Sequence, residues 1–177
     1  VTDECSVAGV VRAHTEAKNL GLHLIIGSQF QLVDEDGNPA WSLVILARNR
    51  NGYGNLCELI TLARTRAEKG SYRLMPSDLA SPGKDLEHLR GMPDCLVLLS
   101  PRYGIEEAGL KQQAQWLQQT FPGRAWIALT LLHQSRDDWH RDTVEQVAQE
   151  LSLPIVATGD VCMHVRSRKP LQDTLTA

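Results

Sequence analysis

The sequence predicts an α/β domain in which short buried strands alternate with amphipathic helices. Two observations carry this reading. About five apolar runs of strand length punctuate the chain, and the stretches between them space their apolar residues as helices do. Strands separated by segments of helical length need crossover connections, so the strands around Ile25, Leu43, Leu96, Ile127 and Ile155 are expected to be parallel neighbours in one sheet. That sheet can be an open doubly wound one or part of a barrel, and periodicity does not choose between them.

The elements follow in order. Val7, Val10, Val11, His14, Ala17 and Leu20 recur at helical spacing, and Gly21 is a stop. Residues 22–30, with Leu24, Ile25 and Ile26, read as a strand. Asp34, Gly37, Asn38 and Pro39 form a turn cluster. Residues 41–47 read as a second strand, with the end of a further strand expected at Val1. Tyr53, Leu56, Leu59, Ile60 and Ala63 mark a helix. Residues 69–94 read as loop with one short helix. Then come a strand at 95–99, a helix at 105–119 with a Gln-rich face, a strand at 124–131, a helix marked by Trp139, Val144, Val147 and Leu151, and a strand at 154–158.

Composition bounds the function. The chain has 177 residues, 42% hydrophobic and 22% charged, with a formal net charge of −3. This is one globular domain, and it lacks the basic balance of a domain that grips nucleic acid unaided. The four cysteines, Cys5, Cys57, Cys95 and Cys162, form no CxxC pair and no disulfide framework, which points to the cytoplasm. No apolar run reaches membrane-spanning length, and no signal peptide is visible. The chain opens without Met and closes inside a helical pattern, so it reads as one domain, 1–177, cut at both ends.

In parallel α/β folds functional groups collect where strands end. Asp3 and Glu4, Ser28 and Gln29, Arg48 and Asn49, Ser100 and Arg102, His133, and Asp160, Cys162 and His164 stand at such points. Asp160, Cys162 and His164 alternate, so an extended backbone would turn all three one way, and each can bind a metal. The plainer readings are a capping Asp, a buried Cys and histidines that pack or face solvent. Residue types and spacing alone stop at an α/β domain with a remnant metal site.

Several motifs in order carry a resemblance. Residues 2–6 with 8–14, the run Ile25-Ile26-Gly27-Ser28-Gln29-Phe30, residues 43–61, residues 69–74, and residues 156–177 with Gly159-Asp160-Val161 resemble the PHP (polymerase and histidinol phosphatase) domain of bacterial C-family DNA polymerases. The Glu4-Cys5 pair looks like the error-prone branch. The resemblance implies a partial distorted β/α barrel, TIM-like, lacking its N-terminal strand. It also implies a place in damage-induced translesion synthesis, with Mg in the parent polymerase and DNA held through that parent. Other translesion-synthesis proteins are possible partners, and no membrane is involved.

Active members of the family hold metals on His, Asp, Glu and Cys and cleave phosphoesters. This chain departs from that pattern. Glu4 stands at a His position, Gln29 replaces the acid of the Gly-x-Glu motif, Ser42 stands where a His is expected, and Arg102 follows Ser100 in place of a Cys. Asp160 survives, with Cys162 in place of His. The resemblance therefore implies a degenerate metal site of Glu4, Asp160, Cys162 and His164, ringed by Asp3, Gln29, Ser42 and Arg102, with no metal or weakly bound Zn or Mn. A structural module is expected. A metal-dependent phosphoesterase or nuclease, and a non-enzymatic scaffold for repair proteins, are the alternatives. Glu4, Gln29, Arg102 and Asp160 are expected together at one end of the strands.

Overall fold

The computed structural model describes every residue except Cys162 and Ala177, together with the side chain of Thr176. Five strands form one sheet in the order β1-β2-β3-β4-β5: Gly27–Val33, Pro39–Ala47, Cys95–Ser100, Ala125–Thr130 and Ile155–Thr158. The helices are α1 (Val10–Asn19), α2 (Arg50–Thr65), α3 (Pro76–Ala80), α4 (Glu107–Thr120), α5 (Asp137–Leu151) and α6 (Lys169–Thr176). The strands are neighbours as expected, but they are not all parallel. β3, β4 and β5 are parallel, whereas β2 runs antiparallel to both β1 and β3.

Chain length explains the first reversal. Residues 34–38 are too few for a crossover, which takes a dozen or more residues. They close a hairpin, in which Asp34 accepts the Asn38 N–H through Oδ1 at 2.8 Å and Gly37 takes φ 87°. The second reversal comes from residues 66–94. After α2 has run back along the sheet, α3 and the 3-10 turn Lys84–Leu89 cross it again, so Cys95 begins beside Ala47. The corner is tight. Asn49 caps α2 by accepting the Gly52 N–H at 3.0 Å and donates to Asp94 at 2.9 Å. Any side chain at Gly52 would collide with the Asp94 carbonyl, 2.1 Å from where its Cβ would stand.

The strand expected at 22–30 begins later, at Gly27, because residues 22–26 do not face the core: Leu22 and Ile25 are exposed. Alternation then sets the faces. Phe30 and Leu32, Leu43 and Ile45, Val97 and Leu99, and Ile127 point toward the helices and are fully buried. Each such side chain contributes about 1.5–3 kcal/mol on burial. α2, α4 and α5 cover this face.

The strand end expected at Val1 is present as pairing. Val1 N donates to Ile25 O at 2.9 Å, Gly27 N to Val1 O at 3.0 Å, Gln29 N to Asp3 O at 3.1 Å, and Cys5 N to Gln29 O at 2.8 Å. Residues 1–5 thus lie parallel to β1 as a further edge. Buried Ser28 fixes them there, donating to Asp3 O at 2.8 Å and accepting the Ser6 N–H at 3.0 Å. The side chains on the other face of the sheet, such as Gln29, Val44, Leu98 and Thr130, line an open concavity bounded by Val1–Asp3 at one edge and Thr158–Val161 at the other. This is the arrangement of a partial barrel.

Candidate functional site

Two adjoining cavities occupy the concave side. One, of about 740 Å³, is lined by Gln29, Gln31, Ser42, Ser100, Arg102 and Asp160 among others. The other, of about 560 Å³, shares Gln29, Ser100 and Asp160 and reaches Asp3. Gln29, Ser42, Arg102 and Asp160 therefore line one space, but Glu4, expected beside Gln29, Arg102 and Asp160, does not line it. The positions along the strands also differ from the expectation. Gln29 lies inside β1 rather than after a strand, and faces the cavity because the period-two alternation turns it away from Phe30. Arg102 and Asp160 do follow strands, β3 and β5, and Asp160 takes φ 42°, a conformation Asp tolerates better than most residues.

Glu4 pairs with Gln29 along the backbone but lines neither cavity. Its carboxylate accepts the Tyr72 Oη–H at 2.5 Å, and the same Tyr72 oxygen accepts the Gln31 N–H at 2.7 Å. Burial first, and then the hydrogen bond to Glu4, push the Tyr72 hydroxyl well above the ordinary tyrosine range. Ser42 Oγ donates to Gln31 Oε1 at 2.7 Å. Arg64 braces this corner, donating to the Cys5 and Glu4 carbonyls at 3.2 and 3.3 Å with its guanidinium 5.4 Å from the centre of the Tyr72 ring. His164 stands apart, in a third cavity with Arg168 and Leu171. Cys162 lies outside the described residues.

This donor set does not fit a multi-metal cluster. Such a cluster needs several anionic or imidazole ligands converging on cations about 4 Å apart. Here Gln29 brings a neutral amide, Ser42 is committed to Gln31, and Glu4 is committed to Tyr72. Arg102 brings a positive charge to the same wall, which opposes a cation. Among the described residues no group of three or more His, Cys, Asp or Glu side chains is placed to hold a metal ion.

Sequence reasoning passed over Tyr72, Gln31 and Arg64 as site residues. Tyr72 lies within a motif that carried the resemblance, but nothing local marks its contact with Glu4, 68 residues away. His88 meets Glu58 at 2.9 Å. His140 is a packing residue, 2% exposed beneath the Tyr103 ring, and burial lowers its basicity.

Comparison with known proteins matches the model of the PHP domain to residues 1–152. Over all 177 residues the chain is 58% identical to an error-prone DNA polymerase of Bordetella parapertussis and 55% identical to one of Ralstonia nicotianae. It spans only 17% and 16% of the length of those proteins. A solved structure from Bifidobacterium adolescentis, provisionally assigned as a metal-dependent phosphoesterase, shares the fold. Its TM-score is 0.54 at 12% identity, over 90% of this chain and 75% of that one. The chain belongs to the PHP domain family.

Proposed function

We propose that this PHP domain is a non-catalytic module of a longer error-prone DNA polymerase that acts in damage-induced translesion synthesis. The observation that carries the reading is identity of 58% across the entire chain with a protein bearing that name, although the chain spans 17% of its length. Nucleotidyl transfer then belongs to a part of the longer polypeptide outside this chain. That part supplies the Mg-binding carboxylates and the grip on DNA, which this domain's charge of −3 does not favour. Contacts with other translesion-synthesis proteins and a cytoplasmic location belong to the same reading. Among the described residues no helix is long and apolar enough to cross a membrane.

The cavity supports the non-catalytic half of the proposal. Hydrolysis of a phosphoester by metal ions requires several anionic donors converging on them, and beside the carboxylates of Asp160, Glu106 and Asp3 the cavity walls bring the amide of Gln29, the hydroxyl of Ser42 and the guanidinium of Arg102, with Glu4 already bonded to Tyr72 and no group of three or more His, Cys, Asp or Glu placed to hold a metal among the described residues. The test is primer extension on a damaged template with Mg²⁺, run with the longer protein and with this chain. Extension by the longer protein alone is expected. Extension by the 177-residue chain, or none by the longer protein, overturns the reading.

A further inference from the structure

Two buried polar atoms stand one turn apart on α5 with no hydrogen-bond partner among the described residues: Asp137 Oδ1 and His140 Nδ1. Buried polar atoms are paired as a rule, so each exception calls for a reason. Asp137 opens the helix, where the unpaired backbone N–H groups favour a carboxylate. His140 has no such account. Only 2% of it is exposed. As a neutral ring it can leave Nδ1 bare, at the cost of one unmade bond. A proton on Nδ1 makes the ring a buried cation whose new N–H has no acceptor bonded to it.

The ring lies under Tyr103, with centroids 5.3 Å apart and planes tilted by 45°. Tyr103 belongs to residues 101–106, which carry Arg102 and wall the larger cavity. Its Oη also accepts the Arg136 N–H at 2.9 Å. The Arg136 guanidinium in turn covers the Trp139 ring, 4.3 Å from its centre. One hydrogen bond and one ring contact thus clasp residues 101–106 to the start of α5. Gly104, at φ 76°, supplies a bend that glycine adopts freely.

The surrounding charges do little to hold a proton on this ring. β4, against which α5 packs, has no titratable side chain. On α4, Lys111 is paired with Glu150 at the far end of α5, and Glu106 and Glu107 are exposed. Arg141 is paired with Asp138 and Asp142, and His133, before the helix, is exposed. Burial disfavours the charged ring first, and Asp137 opposes it only in part. A released ring takes its proton near pH 6.5, and the clasped ring only at lower pH. Below pH 6.5 the released form therefore binds more protons, so acid favours release.

We infer that His140 is a proton-operated latch: its protonation breaks the Tyr103 clasp and frees residues 101–106, with Arg102, from their place in the cavity wall. The latch is independent of whether the domain is catalytic.

Backbone hydrogen–deuterium exchange on the longer protein tests it, at about pH 7.5 and about pH 5.5, corrected for the intrinsic effect of pH. Residues 101–106 and 136–140 should open about three- to tenfold more often at the lower pH, because one proton taken up about a unit below the free value shifts the balance by up to about tenfold. β1 should be unchanged. His140→Phe keeps a ring under Tyr103 and should abolish the response, while His133→Ala should leave it as it is. Where His140→Phe fails to fold, exchange of the imidazole Cε1–H in the unsubstituted protein decides: the midpoint of opening must coincide with the titration of His140. Equal exchange at the two pH values, or a response that survives His140→Phe, overturns the inference. A response shared by β1 also overturns it, by showing that acid unfolds the whole domain.

Discussion

The two faces of the sheet differ more than any other pair of regions in the molecule. On the helix side Phe30, Leu32, Leu43, Ile45, Val97, Leu99 and Ile127 are sealed from water. On the concave side the same strands present Gln29, Gln31, Ser42 and Ser100 to open cavities. The fully buried apolar core therefore lies on the helix side, and the concave side, lined by partly buried residues, carries less of the packing and tolerates changes in its chemistry better. That difference is consistent with the proposal that the chain keeps the PHP architecture with a non-catalytic cavity lined by Gln29, Ser42 and Arg102.

Substitutions measure the contrast directly. Phe30→Ala, which empties a fully buried aromatic site, should cost about 3–5 kcal/mol in denaturant unfolding, and Leu43→Ala about 2–5. Tyr72→Phe removes one hydroxyl that links Glu4 to Gln31, and should cost about 1–2 kcal/mol while loosening residues 1–5 in hydrogen exchange. Arg102→Ala and Gln29→Ala, on the concave side, should fall within about 0.5 kcal/mol of the parent. Concave substitutions as costly as Phe30→Ala would erase the distinction between the faces.

The helix side also has a signature in pH. Burial pushes the Cys95 thiol up from 9.0 to about 11, only partly opposed by the nearby Arg124. In the unfolded chain this thiol loses its proton near 9 and in the folded chain near 11, so above pH 9 the unfolded state binds fewer protons. Stability should therefore fall as pH rises from about 9 toward 11. Cys95→Ala should flatten that part of the profile, and an unchanged slope would show that the thiol is not sealed as described. At neutral pH a thiol reagent should modify the half-buried Cys57 well before Cys95.

Most elements were legible in the sequence because each carries its own period and punctuation. The helix of Tyr53, Leu56, Leu59 and Ala63 and the strand opening at Cys95 lie where their apolar spacing places them. Strand direction was misread although the decisive sign was in view. Asp34, Gly37 and Asn38 were recognised as a turn, and a link of that length between two strands permits only a hairpin. The strand of residues 22–30 was placed early because apolar content, rather than the alternation of Gln29, Phe30, Gln31 and Leu32, set its bounds.

The site divides the same way. Arg102 and Asp160 could be located because they follow strands that periodicity identifies. The bonds from Tyr72 to Glu4 and to Gln31 join residues 68 and 41 positions apart, and no local pattern announces them. The separation of His164 from Asp160 was also invisible, since alternation predicts a shared direction only while the backbone stays extended. The positive φ of Asp160 breaks that condition.

The central proposal is that the concave cavity holds no catalytic metal cluster, and metal content with phosphodiester cleavage tests it most directly. The longer protein, purified without chelator and supplied with Zn²⁺ or Mn²⁺, is dialysed, analysed for bound metal and assayed for removal of 3′ nucleotides. The account predicts substoichiometric metal and background cleavage, with binding recovered when Gln29→Glu, Ser42→His and Cys162→His are combined. Near-stoichiometric metal together with 3′ cleavage by the unsubstituted protein would contradict it.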